Sequence, residues 1–497
     1  MRASLRDLAA RTLAAGTLEG LPEHHWIDGR WQPARAGATL EDWDAGRGTV
    51  HARFAAGDAD DIADAVASAR TALRGPWGQM TPAERGRILM AGAEAIRRHA
   101  DRLAVAESLD VGKPVGEADG DVRGAARAFE YYAGAVDKLQ GDSIPLGQVY
   151  VAFTVNEPVG VVAQVIPWNY PLSTAARGIA PALAAGCTVV AKPAEQTPMS
   201  ALLLAEILAD AGLPPGVLNV VTGTGGAAGA PLVSHPGIDH VTFTGSVATG
   251  RRVMQAAAEN ITSVTLELGG KSPVVVLADC DIDQAVEGVI GAIFENAGQI
   301  CSAGARLVVE RSIHRRMVDR LVARAAGLVM GHGLRNPALG PLNSAEHRDR
   351  VAGHVARARA RGRAPLIGGD MAADPETGQG WFFQPTVFDD VDAADPLAQE
   401  EIFGPVLTVQ VADDAASALR LANSTDFGLV AGVYTRDIGA ALALARDIDA
   451  GQIYINEYFA GGIETPFGGN RLSGFGREKG LEALRAYCKV KSITARI

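Results

Sequence analysis

The sequence predicts an α/β protein with two doubly wound domains and a small arm of β-strands. From Val159 onward, apolar β-branched runs alternate with helical stretches, and this alternation is typical of a mostly parallel sheet covered by helices on both faces. A second series of the same kind begins at Ser272. Because 497 residues are too many for one hydrophobic core, each series is expected to form its own domain.

The first series places polar residues where its strands end. The strand "VGVVAQVI" ends before Pro167, and the strand "CTVVAK" ends at Lys192. The helix that follows the second of these strands closes at Gly212, a natural left-handed cap. In such sheets, ligands bind where the carboxyl ends of strands meet the N termini of helices. These strand ends are therefore predicted to border a binding site.

Two further alternating strands, "QVYVAFTVNEPVG" and "CKVKSITARI", have no partner nearby in the chain. We predict that they form an arm whose exposed edges favour pairing with another subunit, and hence a homo-oligomer, either a dimer or a tetramer. The predicted boundaries follow from these elements: the first domain takes residues 1–125 and 156–266, the second domain takes 267–475, and the arm takes 126–155 and 476–497.

Composition and charge exclude several classes of protein. The formal net charge of −11 opposes nonspecific nucleic-acid binding, since nothing offsets repulsion from phosphate. No run of about 20 apolar residues occurs, so no membrane span is expected. The four cysteines are scattered without metal-like spacing, and the pair His24 and His25 has no third ligand nearby. We therefore expect no metal site, two surface histidines, and a reducing compartment, the cytoplasm.

Two glycine-containing turns are candidates for phosphate binding. In "FTGSVATG", Phe243 lies at the end of a strand and Ser246 opens a helix. The exposed N–H groups around Gly245 are suited to pyrophosphate, with the helix dipole assisting; the alternative is a tight turn with Gly245 at positive φ. The segment "GTGGAAG", which contains Gly225, is a less specific signal, because 58 glycines make chance matches common.

The segment "KPAEQTP" places Lys192 and Glu195 just after a strand. A carboxylate at such a strand end can accept hydrogen bonds from both hydroxyls of an adenosine ribose and would repel a 2′-phosphate. The pair therefore favours NAD over NADP. The alternative is a surface ion pair, which contributes little to stability.

A single cysteine, Cys301, lies in "ENAGQICSAGARLVV" among small residues that would let a substrate approach its sulfur. It is interpreted either as a nucleophile or as a buried thiol. A nucleophilic thiol needs assistance, since only a few per cent is thiolate at neutral pH near the ordinary pKa of about 8.5. Glu267 in "ELGGKSP" and Asn169 in "PWNYP", both at strand ends, offer a carboxylate and an oxyanion donor.

Seven motifs together resemble the aldehyde dehydrogenase superfamily, in its NAD-dependent, hydrolytic branch. "PWNYP", "KPAEQTP", "FTGS", "LELGGKSP", "NAGQICSAGAR", "EEIFGPV" and "PFGGNRLSGFGRE" occur in the family's order across nearly the whole chain. The resemblance implies two Rossmann-like domains, the first binding NAD and the second carrying the nucleophilic cysteine, with the arm serving oligomerisation. A non-enzymatic scaffold on the same fold is disfavoured, because it would have no need to retain Cys301, Glu267 and Asn169 together.

The resemblance also implies a role for each motif residue. Cys301 would attack the aldehyde, Asn169 would stabilise the oxyanion, and Glu267 would activate the water that hydrolyses the thioester, which disfavours a CoA-acylating relative. The family's cofactor contacts correspond to Ile166, Trp168, Lys192, Glu195, Gly225, Phe243, Gly245, Ser246, Glu401 and Phe403.

The substrate tunnel is expected to include Tyr170, Arg177, Tyr458 and Phe467. Many relatives carry Trp-Lys where this chain has Arg177-Gly178, which makes a betaine-aldehyde-type substrate less attractive, because part of an aromatic enclosure is missing. Arg177 is similar in placement to an arginine of succinate semialdehyde dehydrogenases and would suit a substrate carboxylate. The alternative is an arginine that points outward. The particular aldehyde stays open.

Overall fold

Two open sheets, one of eight strands and one of six, organise the computed structural model, which describes residues 1–497. The strands are β1 (His25–Ile27), β2 (Arg30–Gln32), β3 (Thr39–Asp44), β4 (Thr49–Ala55), β5 (Ser143–Ile144), β6 (Tyr150–Pro158), β7 (Val161–Ile166), β8 (Thr188–Pro193), β9 (Leu218–Val220), β10 (His240–Gly245), β11 (Ser263–Leu268), β12 (Pro273–Val276), β13 (Arg306–Glu310), β14 (Met371–Ala372), β15 (Phe382–Phe383), β16 (Thr386–Phe388), β17 (Val406–Ala412), β18 (Phe427–Gly428), β19 (Val430–Tyr434), β20 (Gln452–Ile455), β21 (Asn470–Arg471), β22 (Gly474–Phe475) and β23 (Cys488–Arg496).

Helices cover both sheets, and short helical turns at 225–229, 295–298 and 333–335 supplement them. The helices are α1 (Ala3–Ala15), α2 (Ala59–Arg74), α3 (Pro76–Gln79), α4 (Pro82–Arg98), α5 (Ala100–Val111), α6 (Val115–Ala133), α7 (Pro171–Ala185), α8 (Met199–Asp210), α9 (Ala230–Ser234), α10 (Val247–Glu259), α11 (Ile282–Phe294), α12 (His314–Ala326), α13 (Ala345–Ala360), α14 (Pro396–Gln399), α15 (Ala415–Ala422), α16 (Ile438–Asp447) and α17 (Gly480–Ala486).

The first sheet has the strand order β2-β1-β9-β8-β7-β10-β11-β22. Its five central strands are parallel, while β1, β2 and β22 pair antiparallel at the two edges. Neighbouring residues of β8 enter different cores, Val189 on one face and Val190 on the other. Burial on both faces explains why these strands read as continuous apolar runs in the sequence.

The second sheet, in the order β16-β17-β13-β12-β19-β20, is parallel throughout. It too is covered on both faces, since Val274 and Val275 of β12 belong to separate apolar clusters. The two sheets confirm the predicted fold class, an α/β protein with two doubly wound layers. No helix combines the length and the apolar character that crossing a membrane requires.

The predicted arm is present as a small antiparallel sheet in which β6 pairs with β5 and β23. Its predicted start at residue 126 falls inside helix α6 and is wrong, because that helix continues to Ala133 and buries Phe129 and Tyr132 in the first core. Helix α17 likewise packs Leu484 into that core. The arm is therefore smaller than the segments 126–155 and 476–497.

The histidine pair was only half correctly interpreted. His24 is exposed, but His25 is fully buried on β1, and its Nδ1 lies 2.9 Å from the Thr222 hydroxyl oxygen. The reason is that β1 joins the first sheet between β2 and β9, a pairing between distant segments that the local sequence does not reveal. The start of the chain forms helix α1, which packs Leu5 and Ala9 into the first core.

Candidate active site

The carboxyl ends of β7, β8, β10 and β11 border a cleft with a cavity volume of about 380 Å³. Cys301, Glu267 and Asn169 all line this cleft. The structure also places there every residue that the resemblance assigned to the cofactor: Ile166, Trp168, Lys192, Glu195, Gly225, Phe243, Gly245, Ser246, Glu401 and Phe403.

Cys301 lies between a short helical turn and strand β13, and its side chain is partly exposed. The backbone before it is tightly coiled, with positive φ at Asn296, Ala297 and Gly298. A Cβ atom at Gly298 would overlap the Gly404 carbonyl oxygen, so this position requires glycine. Burial raises the pKa of the Cys301 thiol to about 12, and the positive charge of Arg177 partly opposes that shift.

Asn169 is tied to the cysteine loop. Its side chain is 6% exposed, and Nδ2 donates a hydrogen bond to the Gln299 carbonyl oxygen at 2.8 Å. In return, Asn296 donates from its own Nδ2 to the Asn169 carbonyl oxygen at 3.1 Å. An amide nitrogen carries two hydrogens, so Asn169 keeps one donor for a ligand beside Cys301. Neither Asn296 nor Gln299 was predicted as a site residue, although both lie in the segment "ENAGQIC".

Glu267 lies at the end of β11 and is 1% exposed. Neither of its carboxyl oxygens has a hydrogen-bond partner, which is rare for a buried polar group and typical of functional sites. Burial raises the pKa of Glu267 well above its ordinary value; the nearby Glu478 raises it further, while Arg177 and Arg477 lower it. A raised pKa makes the carboxylate form of Glu267 a stronger base than an exposed glutamate.

The outer part of the cleft combines a helix N terminus with an ion pair. Ser246 caps helix α10, and its Oγ accepts a hydrogen bond from the Thr249 N–H at 3.3 Å. Gly245 is half-buried against the Phe243 ring, which leaves no space for a Cβ atom. Lys192 Nζ lies 3.2 Å from Glu195 Oε2. The partial positive charge of the helix terminus and Lys192 both favour a ligand with phosphate groups.

Glu401 and Phe403 lie at the inner part of the cleft. Glu401 accepts a hydrogen bond from the Gly270 N–H at 2.9 Å, and burial raises the pKa of this carboxyl to about 7, although Gly270 and Lys271 oppose the shift. The Phe403 ring lies edge-on to the Trp168 ring, 5.3 Å between centroids. These side chains therefore reach the cleft from the second domain.

None of the four predicted tunnel residues lines this cleft; Tyr458 and Phe467 belong to the apolar cluster against which Tyr170 and Cys301 pack. Tyr458 donates a hydrogen bond from its hydroxyl to the Ser302 carbonyl oxygen at 2.9 Å, and Lys113 Nζ lies 3.6 Å above the Tyr170 ring. Arg177 does not point outward: its guanidinium lies 5.3 Å from the Phe467 ring centroid and pairs with the buried Glu478. The outward interpretation of Arg177 is wrong.

The fold and this cleft define a class of protein: two α/β domains that bring a thiol, a buried carboxyl group and an amide together between them. Residues 31–493 match the description "Aldehyde dehydrogenase family". An aldehyde dehydrogenase of Emericella nidulans is 44% identical over 88% of each chain. The chain therefore belongs to the aldehyde dehydrogenase family of oxidoreductases, which confirms the resemblance seen in the motifs.

Solved structures support the same assignment. A putative aldehyde dehydrogenase from Burkholderia cenocepacia is 45% identical, with a TM-score of 0.93 over 95% of this chain and 99% of that one. The aldehyde dehydrogenase from Bacillus cereus, solved as an NAD+ complex, is 39% identical, with a TM-score of 0.94 over 100% of this chain and 99% of that one.

Proposed function

We propose that this protein oxidises an aldehyde to the carboxylic acid with NAD, through a thioester on Cys301 that water hydrolyses. The observation that carries the proposal is the meeting of Cys301, Asn169 and Glu267 in one cleft with the predicted cofactor residues. The first domain would bind NAD, and the second would supply the cysteine.

The residues of the cleft fit NAD. Ser246 at the start of α10 and the Lys192 amino group suit the pyrophosphate. Glu195 is 35% exposed at its side chain; its Oε2 accepts from Lys192, and the carboxylate would also accept from ribose hydroxyls and repel a 2′-phosphate. Glu401 and Phe403 would hold the nicotinamide end. The NAD+ complex of the Bacillus cereus relative supports this choice of cofactor.

In the first half-reaction, the Cys301 thiol loses its proton to solvent and its sulfur bonds to the aldehyde carbon. The carbonyl π-bond electrons then rest on oxygen, where the free hydrogen of Asn169 Nδ2 and the Cys301 backbone N–H would stabilise them. Bound NAD would supply the acceptor for the hydride on this carbon. Cys301 is then acylated as a thioester.

In the second half-reaction, Glu267 removes a proton from a water molecule whose oxygen attacks the thioester carbon. The C–S bond breaks, the acid departs, and the Cys301 sulfur recovers a proton. Because Glu267 is buried and without a partner, it is suited to this task, and general-base assistance of this kind is typically worth about 10²–10⁴ in rate. A carboxyl base for water favours hydrolysis over transfer to CoA.

The substrate is proposed only as an aldehyde. Glu478 already pairs with the Arg177 guanidinium, so a substrate carboxylate would have to compete with that pair. This pairing argues against a succinate-semialdehyde-type activity. The Lys113 ammonium already lies over one face of the Tyr170 ring, so a cationic substrate approaching that ring would meet a like charge. This contact argues against a betaine-aldehyde-type activity. Neither narrower activity is preferred.

The arm is proposed to make the protein a homo-oligomer, and the scattered thiols favour a reducing compartment, the cytoplasm. Strands β6 and β23 expose the apolar side chains of Val151, Phe153, Val490 and Ile493. An exposed apolar strand surface of this kind is a liability in a monomer. Light scattering would test the oligomer, since a monomeric mass at micromolar protein contradicts this part of the proposal.

The function itself is tested by NADH formation across aliphatic, aromatic, ammonium-bearing and carboxylate-bearing aldehydes. We expect wild type to reduce NAD with at least one class, with stoichiometric acid as the product, and Cys301→Ala to be inactive with all of them. A Cys301→Ala variant as active as wild type would refute the proposal.

A further inference from the structure

A buried ion pair beside the catalytic residues has no part in the reaction described above. Arg177 Nη2 lies 3.0 Å from Glu478 Oε2, and the two side chains are 20% and 2% exposed. Arg177 is the only charged residue of helix α7. A charge carried by an otherwise uncharged, buried helix needs a compensating partner, and Glu478 is that partner.

The hairpin-like segment after Pro466 fixes Glu478 in place. The backbones of Phe467 and Glu478 exchange two hydrogen bonds, each of 2.7 Å, and the guanidinium of Arg177 lies over the Phe467 ring. Gly474 in the same segment pairs directly with Glu267 on β11. The same segment therefore carries Glu478, the partner of Arg177, and pairs with the strand end that carries Glu267, the proposed base.

The adjoining position on helix α7 cannot supply this charge. A Cβ atom at Gly178 would overlap the Gln164 side-chain amide, whose Nε2 donates to the Thr174 carbonyl oxygen at 2.8 Å. A lysine or arginine there would displace Gln164 from that bond. The buried positive charge on this turn consequently depends on Arg177 alone.

Glu267 lies against the same segment. A Cβ atom at Gly468 would be 2.7 Å from Glu267 Oε1, so glycine is needed for this approach. Two carboxyl groups, Glu267 and Glu478, thus share a buried region with the Arg177 guanidinium, which stays charged at any accessible pH. Opposite charges nearby favour the ionised form of an acid, and like charges oppose it.

We propose that Arg177 is a positioning residue: its ion pair with Glu478 fixes a permanent positive charge in the buried region that Glu267 shares, and that charge sets the electrostatic environment in which Glu267 and Cys301 react. The inference deepens the proposed function and rests on it. Arg177 acts through its neighbours and does not bind substrate.

The electrostatic surroundings give the direction of each effect. Burial is the largest cause and raises the pKa of both Glu267 and Cys301. Arg177 lowers both pKa values, whereas Glu478 raises both further. Arg477 also lowers the pKa of Glu267, and Glu401 raises the pKa of Cys301. The remaining titratable groups that interact with Arg177 itself are Asp121, Tyr132, Tyr454 and Lys479.

The test follows hydrolysis of an acetyl-enzyme, which p-nitrophenyl acetate forms on Cys301 with release of p-nitrophenolate. The rate constant of hydrolysis is measured against pH for wild type, Arg177→Met, Glu478→Gln and the double variant. We expect the midpoint of the pH profile to rise by about one pH unit in Arg177→Met and to fall in Glu478→Gln. The double variant should return toward wild type, because both charges are removed together.

A second readout concerns the thiol. Alkylation of Cys301 by iodoacetamide at neutral pH should slow several-fold in Arg177→Met and should recover in Arg177→Lys, which keeps a positive charge. Arg127→Met is the matched control, since Arg127 pairs with Glu464 at the surface, and it should leave both profiles unchanged.

An unchanged midpoint in Arg177→Met, with a lower rate at every pH, would overturn the inference and indicate a purely structural role. If Arg177→Met does not fold, Glu478→Gln decides: a downward midpoint supports the inference, and an unmoved one overturns it. Failure of the proposed function is a separate result, since wild type would then form neither acetyl-enzyme nor NADH.

Discussion

Replacing Glu267 by glutamine separates the two half-reactions. The change preserves the size of a side chain that is 1% exposed and makes no hydrogen bond, so the fold loses no hydrogen bond. It removes the only proposed base for water. We therefore expect steady-state turnover to fall by about 10²–10⁴, which corresponds to about 3–5 kcal/mol of activation free energy at 1.36 kcal/mol for each factor of ten.

The first half-reaction should survive this substitution. Glu267 raises the pKa of the Cys301 thiol, so the neutral amide makes the thiolate easier to form. In a stopped-flow experiment with the best aldehyde of the panel, Glu267→Gln should release close to one NADH per active site in a fast phase and then almost stop. Equal loss of the fast phase and of steady-state turnover would refute the assignment of Glu267 to hydrolysis.

Three other substitutions test the cleft. Glu195→Ala should narrow the preference for NAD over NADP in kcat/KM, because repulsion of the 2′-phosphate is lost; equal use of both cofactors by wild type would contradict this interpretation. Asn169→Ala should lower kcat by about 10²–10³ at unchanged NAD affinity, and an unaffected kcat would exclude its oxyanion role. Gly298→Ala should lower the thermal midpoint and slow alkylation of Cys301, since its φ of 73° and the Gly404 carbonyl oppose a Cβ atom; an unchanged midpoint would contradict that.

The pH dependence of stability offers another check on Glu267. Its pKa is higher in the folded protein than in the unfolded chain, so between the two values the folded state binds more protons. The free energy of unfolding contributed by this group is then present at low pH and decreases as pH rises. Denaturant unfolding of Glu267→Gln should show a smaller loss of stability from acid to neutral pH than wild type, and identical slopes would contradict the shift.

Site residues that lie at strand ends could be predicted from the sequence alone. Parallel strands place their carboxyl ends on one edge of a sheet, so Asn169, Lys192 and Glu267 could be expected to converge once their strands were recognised. The glycine-containing turn before Ser246 and the small residues around Cys301 are also local signals. These predictions needed no knowledge of how the two domains meet.

Features that depend on distant pairing could not be predicted in this way. The inward direction of Arg177 depends on Glu478, which lies about 300 residues later in the chain, and the burial of His25 depends on strand β9. The arm boundary failed for a different reason: α6 continues because "AARAFEYYA" forms helix readily and buries two aromatic rings. The helix propensity of residues 126–133 could have indicated that the helix continues beyond the predicted boundary.

The connection between the two sheets explains how Cys301, which precedes a strand of the second sheet, can act beside Glu267 at the end of a strand in the first sheet. Strand β22 comes from the end of the second domain, yet it is the last strand of the first sheet, paired with β11 at Glu267. The Leu268 N–H donates to the Ser473 carbonyl oxygen at 3.0 Å, and the Ser473 hydroxyl donates to the Gly269 carbonyl oxygen at 2.8 Å. The strand end that carries Glu267 is thereby bonded to the second domain on both sides of Leu268. Through these bonds, the position of Glu267 depends on a segment about 200 residues later in the chain.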